Sequence, residues 1–254
     1  MRRRSKRPTR PVSEAAFLAA YDPRSFERPS VAVDVALISA LGGKLSTLVL
    51  ERTEHPFRGR FVLPGGFLGM KESPECAASR VLESKCGLSG VFLEQLYTFG
   101  SPDRDPRTRV LSVAHYALVD HARFTDAAAR SKSAAPAYIE VPWEGETGGP
   151  VEIQGMTGKP LPLGFDHADI LGMAVKRLRG KLNYAPIGFQ LLPRKFTLLA
   201  LQRVHETIFG RPLNKDSFRR RMLASGDLKA TGESQKDVDH RPAELYRFSR
   251  RSAV

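Results

Sequence analysis

The feature that most constrains the fold of this chain is a glycine-containing loop followed, at fixed spacing, by a short helix. Gly66 precedes Glu72 by six positions, Arg80 follows Glu72 by eight, and Gly87 follows Arg80 by seven. Ser73, with a proline after it, predicts the first turn of the helix, and Gly87 predicts its end. Backbone N–H groups of glycines and of a helix N-terminus attract phosphate, so the segment predicts an anion-binding loop and helix.

The same spacing resembles the signature of the Nudix family, G-x5-E-x7-R-E-U-x-E-E-x-G-U, in which U is an aliphatic residue. Leu82 and Leu88 occupy the two aliphatic positions, and the preceding segment Leu63–Phe67 is similar to the sugar-nucleotide branch of that family. The resemblance implies an α/β fold, the Nudix α/β/α sandwich. It also implies that Glu72 and Arg80 support the loop and helix as an ion pair.

The positions that bind metal in Nudix enzymes carry other residues here. In that family, glutamates on one face of the helix hold a divalent ion that neutralises phosphate oxygens and activates water. The corresponding residues are Val81, Ser84 and Lys85. A helix turns about 100° per residue, so Glu83 points about 200° away from position 81 and cannot replace them. We therefore expect no metal, no cofactor and no hydrolysis, although the cleft can still bind a pyrophosphate.

Side chains expected to contact this ligand come from the glycine loop, a neighbouring strand and a charged loop. Arg52 follows an aliphatic strand sequence, and a guanidinium there can contact a phosphate or an adenine face. The run Ser101–Arg109 resembles the Asp-Arg-Asp-Pro-Arg run of ADP-ribose-recognising Nudix proteins. We expect His115, Tyr116 and His167 to be packed residues rather than ligands. The predicted ligand-binding residues are Arg52, Gly65, Gly66, Phe67, Glu72, Arg80, Arg107 and Arg109.

Charge is distributed unevenly along the chain, which has 254 residues and a net charge of +13. Residues 1–11 contain six Arg or Lys and no acidic residue, and residues 12–183 contain twenty residues of each sign. Residues 184–254 contain fourteen basic residues against seven acidic ones. A neutral body with a basic module and a basic arm is typical of a nucleic-acid-binding protein that has a second function.

The C-terminal basic module follows the order of a winged helix-turn-helix. Thr197 and Asn214 predict the N-caps of two helices, and a polar turn over residues 232–239 separates two predicted strands, Leu228–Thr231 and Ala243–Phe248. In such a module the second helix lies in the major groove, and the hairpin contacts the backbone or the minor groove. The predicted DNA-binding residues are Lys215, Ser217, Arg219, Arg220 and Arg221 on the helix, and Lys229, Thr231, Arg241 and Arg247 on the wing.

Together the two modules resemble the Nudix-related transcriptional regulators of NAD metabolism, over about residues 30–249. The segments that carry this resemblance, besides the two Nudix motifs, are Phe165–His167, Leu192–Leu198, Phe218–Arg221 and Arg241–Phe248. The resemblance implies a homodimer that binds a palindromic duplex DNA operator and represses genes of NAD biosynthesis or salvage. It also implies that ADP-ribose, or a related NAD-derived nucleotide, binds the Nudix domain and releases the DNA.

The expected organisation is therefore a basic, disordered arm at residues 1–25, a Nudix-like sensing domain at 26–183 and a winged helix-turn-helix at 184–254. Two other functions stay open: a metal-dependent Nudix ADP-ribose pyrophosphatase with a nucleic-acid-binding appendage, and an RNA-associated module.

A cytoplasmic location is expected, without a membrane partner. No apolar run approaches the roughly 18 residues that cross a bilayer, and the basic N-terminus lacks the apolar stretch of a secretory signal. Cys76 and Cys86 lie on one predicted helix about 15 Å apart, too far for a disulfide.

Overall fold

The computed structural model describes residues 13–130, 133–236 and 241–249. The α-helices in these residues are α1 (Glu14–Ala20), α2 (Pro74–Cys86), α3 (His121–Arg130), α4 (His167–Lys181), α5 (Leu198–Phe209) and α6 (Lys215–Ala224). The strands are β1 (Ser30–Leu41), β2 (Lys44–Glu51), β3 (Phe61–Val62), β4 (Gly65–Phe67), β5 (Phe92–Phe99), β6 (Val110–Leu118), β7 (Ala134–Glu140), β8 (Glu152–Gly155), β9 (Leu228–Ser234) and β10 (Glu244–Phe248). None of these helices is both long and apolar enough to cross a bilayer.

A mixed sheet in the order β5-β6-β1-β2-β7-β8 forms the centre of the N-terminal part, with β3 paired to β2 and β4 paired to β1. Alternate residues of a strand point to opposite faces. Val33, Val35 and Leu37 of β1 therefore pack against α2 and α3 on one face. Ala36 and Ile38 belong to the core on the other face, together with side chains of α4 and α5. This arrangement confirms the predicted α/β/α sandwich.

The predicted helix after the glycine segment is α2. Ser73 caps it by accepting a hydrogen bond from the backbone N–H of Cys76, and Gly87 ends it in the left-handed conformation at φ 64°. Gly65 and Gly66, which were expected in a loop, lie in the short strand β4 instead. A Cβ at Gly65 would lie 2.2 Å from a carboxylate oxygen of Asp34, so glycine is required where β4 approaches β1.

Other element boundaries differ modestly from the predictions. The segment Glu14–Ala20 is a helix, so the expectation of disorder is wrong there, while residues 1–12 lie outside the described residues. The first wing strand continues through Gly232, which was expected to begin the turn, and the part of that turn at 237–240 lies outside the described residues.

The winged helix, formed by α5, α6 and the β9-β10 hairpin, packs directly on the sandwich, because both share one hydrophobic core. Arg179, near the end of α4, is 5% exposed and connects the two parts. Its guanidinium donates hydrogen bonds to the carbonyl of Ile208 at 2.9 Å and to that of Gly145 at 2.8 Å. Since Ile208 lies in the last turn of α5, Arg179 caps the carbonyl end of that helix.

Candidate anion cavity and nucleic-acid interface

A cavity of 190 Å³ lies where β1, β2 and β4 meet the start of α4. Of the predicted ligand residues, those on its wall are Arg52, Gly65, Gly66, Phe67 and Arg107. Residues on its wall that were not predicted as ligands include Asp34, Lys85, Arg104, Asp105, Phe165 and His167. The wall thus carries four cationic side chains against two carboxylates. This excess of positive charge suits an anion, and a ligand of dinucleotide size would extend beyond the cavity past Phe67, which is 52% exposed.

Three predicted ligand residues lie outside the cavity wall. Arg80 donates hydrogen bonds to both carboxylate oxygens of Glu72, at 3.0 and 2.5 Å, and to the carbonyl of Phe67 at 3.1 Å. Glu72 also accepts the N–H of Gly69 at 2.7 Å, so the expected ion pair is present and fixes the loop. Arg109 lies away from the cavity wall and donates to the carbonyls of Gly100 and Ser101, and its ligand role stays a prediction.

Arg104 lies at the base of the cavity, with its side chain only 4% exposed. It donates two hydrogen bonds to Asp166, at 2.8 and 2.7 Å, and a third to Asp34 at 3.2 Å. Ser112 donates a further bond to Asp34 at 2.6 Å. Desolvation opposes the charge on the guanidinium, but the hydrogen bond with Asp166 and the field of Asp34 hold the pKa of Arg104 above its ordinary value.

His167 is buried, and its imidazole holds the backbone next to the glycine segment. Its Nδ1 accepts the N–H of Leu63 at 2.9 Å, so the neutral ring carries its proton on Nε2, which lies 3.6 Å from Asp34. Burial lowers the pKa of His167, and the ring is therefore neutral at neutral pH. His115 and Tyr116 are fully buried, so all three residues are packed as expected, although His167 also borders the cavity.

Two further arginines on the cavity wall are held by local contacts. Arg52 donates from Nε to the carbonyl of Pro56 at 2.7 Å, and its guanidinium lies over the Phe165 ring at 5.2 Å. Arg107 forms a two-point ion pair with Asp105, at 3.0 and 2.8 Å, and lies 6.0 Å from the ring of Phe67. These contacts hold both guanidiniums at the wall of the cavity.

The residues at the Nudix metal positions do not fit a divalent ion. Val81 is 1% exposed and belongs to the core below α2. Ser84 offers a neutral hydroxyl that donates to the carbonyl of Val81, and the Lys85 ammonium is itself a cation. Over the described part of the chain, no group of three or more His, Cys, Asp or Glu side chains is placed to hold a metal.

The second candidate site is the exposed basic surface of the winged helix. Phe218 is buried, whereas the predicted DNA-binding residues are exposed, except for half-buried Thr231, which donates to the carbonyl of Leu245. Within the described ranges, no ion pair to a carboxylate is formed by Lys215, Arg219, Arg220, Arg221, Lys229, Arg241 or Arg247. These charges are thus available for phosphate.

A larger cleft, of 1530 Å³, is lined by part of this basic surface. It lies between the β1-β2 turn on one side and α5, α6 and the wing on the other. Lys215, Arg219 and Arg241 line it, whereas Arg220 and Arg247 do not. The structure therefore places the predicted DNA-binding residues in two groups, one on the cleft wall and one on the outer surface.

The stability of the winged helix is expected to depend on pH, because His205 of α5 is a buried titrating group. Burial, and secondarily the charge of Arg221, lower the pKa of His205 to about 4. The unfolded chain, with a histidine pKa near 6.5, binds this proton more readily, so stability is complete above pH 6.5 and falls as the pH drops towards 4.

The expected loss between pH 7.5 and 4.5 is about 2–3 kcal/mol from this residue, at about 1.4 kcal/mol per pKa unit. His205→Leu removes the titrating group. The difference in unfolding free energy between the variant and the unmodified chain should therefore change by about 2–3 kcal/mol between pH 7.5 and pH 4.5. Guanidinium denaturation at both pH values measures it. An equal pH dependence for both proteins would show that His205 does not contribute.

The fold and the two sites define a class: a Nudix domain with an anion cavity, joined to a winged-helix DNA-binding domain. Residues 28–141 match the NUDIX domain model, and residues 188–248 match the model of the NrtR DNA-binding winged helix domain. A structure of Shewanella oneidensis NrtR complexed with a 27mer DNA is similar, with a TM-score of 0.71 and 30% identity, over 86% of this chain and 93% of that one.

Two curated relatives differ in how much of the chain they match. The ADPR responsive transcriptional repressor NtrR of Acinetobacter baylyi is 34% identical over 240 residues, which cover 93% of this chain and 89% of the relative. An ADP-ribose pyrophosphatase of Methanocaldococcus jannaschii is 37% identical over 90 residues, which cover 35% of this chain and 51% of the relative. The chain therefore belongs to the NrtR family of transcriptional repressors, and the predicted resemblance is confirmed.

Proposed function

We propose that this protein is a transcriptional repressor that binds an operator through its winged helix and releases it when ADP-ribose, or a related NAD-derived nucleotide, occupies the anion cavity. One observation supports the proposal most strongly. The Nudix domain has a cationic cavity, and the winged helix packed on it has a separate surface of basic side chains that form no ion pairs within the described residues. The proposed targets are genes of NAD biosynthesis or salvage. A homodimer would present two winged helices to a palindromic site.

In this proposal the Nudix domain senses its ligand without cleaving it. Hydrolysis of a pyrophosphate in this family depends on a metal that activates water, and Val81, Ser84 and Lys85 offer that metal no carboxylate. The Arg52 and Arg107 guanidiniums, with the backbone of Gly65 and Gly66, are proposed to bind the diphosphate. Glu72 and Arg80 are proposed to hold the loop in shape.

Fluorescence anisotropy with duplex DNA from upstream of the protein's own gene tests this function. We expect sequence-selective binding at physiological salt, with ADP-ribose dissociating the complex and NAD and ATP less effective. A scrambled duplex and a structured RNA serve as competitors, and equal binding to all three would contradict a DNA-specific repressor.

The pyrophosphatase alternative is favoured by the match to the archaeal enzyme over the Nudix segment. Release of AMP from ADP-ribose in magnesium or manganese, followed by chromatography, tests it on the same preparation. Robust turnover by the unmodified chain would support the enzyme and contradict the proposed sensor. If the unmodified domain is an inactive sensor, substituting glutamate at positions 81, 84 and 85 together should create pyrophosphatase activity.

A further inference from the structure

We propose that the Lys85 ammonium group takes the place of the divalent ion, so that this cavity binds a diphosphate without any metal. The inference rests on the proposed function, because it concerns the same cavity and the same class of ligand. It assigns a binding role to a residue at a position where the Nudix signature has a metal-binding glutamate.

The position of Lys85 places its charge at the cavity. The residue lies in the last turn of α2, and its Nζ donates a hydrogen bond to the carbonyl of Gly65, the residue of β4 that pairs with Asp34 of β1. Although part of its side chain is exposed, desolvation by the surrounding protein lowers the pKa of the Lys85 amine, against the opposing attraction of Asp34. An anion bound beside Gly65 would stabilise the charged form.

The pairing of the other charges leaves Lys85 available. The carboxylate of Asp34 is engaged by Arg104, and that of Asp105 by Arg107. Across the described residues, Arg52 and Lys85 are the cationic side chains of the cavity wall without a carboxylate within 4.0 Å, and each is bonded instead to a backbone carbonyl. Together with the Arg107 guanidinium on the same wall, these two cations suit the negative charge of a diphosphate.

The same arrangement disfavours a divalent ion. Val81 is buried among apolar side chains and Ser84 is uncharged, so α2 provides no anionic ligand at these positions. A metal ion beside Gly65 would also lie close to the Lys85 ammonium, and like charges repel. A tethered ammonium is a point charge with three donors, which suits phosphate oxygens without the geometric demands of an octahedral ion.

Isothermal titration calorimetry of the full chain tests the inference, with ADP-ribose titrated in EDTA and again in excess MgCl2. We expect equal affinities in the two buffers. Lys85→Met should weaken binding roughly 10- to 100-fold in both, because it removes a charge-assisted hydrogen bond, and Lys85→Arg should recover part of the loss. Lys71→Met is the matched control, since it removes an exposed lysine that does not line the cavity, and it should bind normally.

Each outcome has a defined meaning, provided that circular dichroism shows Lys85→Met to be folded. Loss of affinity in EDTA, or normal binding by Lys85→Met, would overturn the role of Lys85 while leaving the proposed effector intact. Inorganic pyrophosphate and ADP separate the two proposals further. If ADP-ribose fails to bind but either probe binds in a Lys85-dependent, EDTA-resistant way, the effector is wrong and the role of Lys85 stands. Failure of all three ligands would contradict both.

Discussion

Replacing Arg104 with methionine is expected to lower the free energy of unfolding by about 3–5 kcal/mol, the range found when one partner of a buried ion pair is removed. The guanidinium is almost completely buried and satisfies two carboxylates at once. Methionine would leave Asp34 and Asp166 facing each other with little solvent. Guanidinium denaturation followed by circular dichroism at pH 7.5 measures the loss.

The matched control lies in the same loop. Arg107 pairs with Asp105 in similar geometry, but its side chain is 47% exposed. Exposed pairs contribute about 0–1 kcal/mol. The Asp105 carboxylate is only 4% exposed, but it keeps the hydrogen bond from the backbone N–H of residue 107. Arg107→Met should therefore cost less stability than Arg104→Met while weakening diphosphate binding. An equal loss of stability for the two variants would contradict the larger contribution to stability that is expected for Arg104. Adding Asp34→Asn to Arg104→Met should recover part of the loss, because it removes one of the unpaired charges.

Substituting Arg220 with alanine is expected to raise the dissociation constant for the operator roughly 10- to 100-fold, or about 1–3 kcal/mol if this arginine contacts a base. Arg220 lies about 200° around α6 from Phe218, whose buried side chain contacts His205 of α5. It therefore projects outward from the helix that enters the major groove in this class of domain.

Lys71→Ala removes the same charge from the Nudix domain and serves as the control. It should change operator affinity little at 150 mM salt, since exposed charges beyond a Debye length of about 8 Å are screened. A base contact predicts that Arg220→Ala also relaxes sequence preference, whereas a phosphate contact predicts uniform weakening and a smaller salt dependence. If both Arg219→Ala and Arg220→Ala left the operator affinity unchanged, α6 would not be part of the DNA interface.

Local sequence signals were sufficient for the elements around the glycine segment and for the winged helix. Ser73 and Gly87 act through hydrogen bonds and dihedral angles within a few residues, so the ends of α2 could be predicted. The ion pair between Glu72 and Arg80 spans eight positions and followed from the resemblance. The same holds for α5 and α6, whose N-caps Thr197 and Asn214 bond as expected.

The centre of the cavity could not be predicted because its partners are distant in sequence. Arg104 lies 70 positions from Asp34 and 62 from Asp166, and no local pattern distinguishes it from Arg107 and Arg109 in the same loop. One signal was present, since Asp34 is the single charged residue in a strand that is otherwise apolar apart from Ser30 and Ser39. A buried carboxylate of that kind requires a partner, but its identity depends on the fold.

Helix α4 begins at the cavity, where His167 supports Leu63 and the preceding residue, Asp166, holds Arg104. It ends about 22 Å away, beside Arg179 and the carbonyl end of α5. A stiff helix with such contacts at both ends transmits movement between them, so a ligand that shifts Asp166 or His167 should also shift the winged helix. In the proposed homodimer, the two-fold axis would repeat this shift in both copies, and the distance between the two half-sites that the protein can span would change.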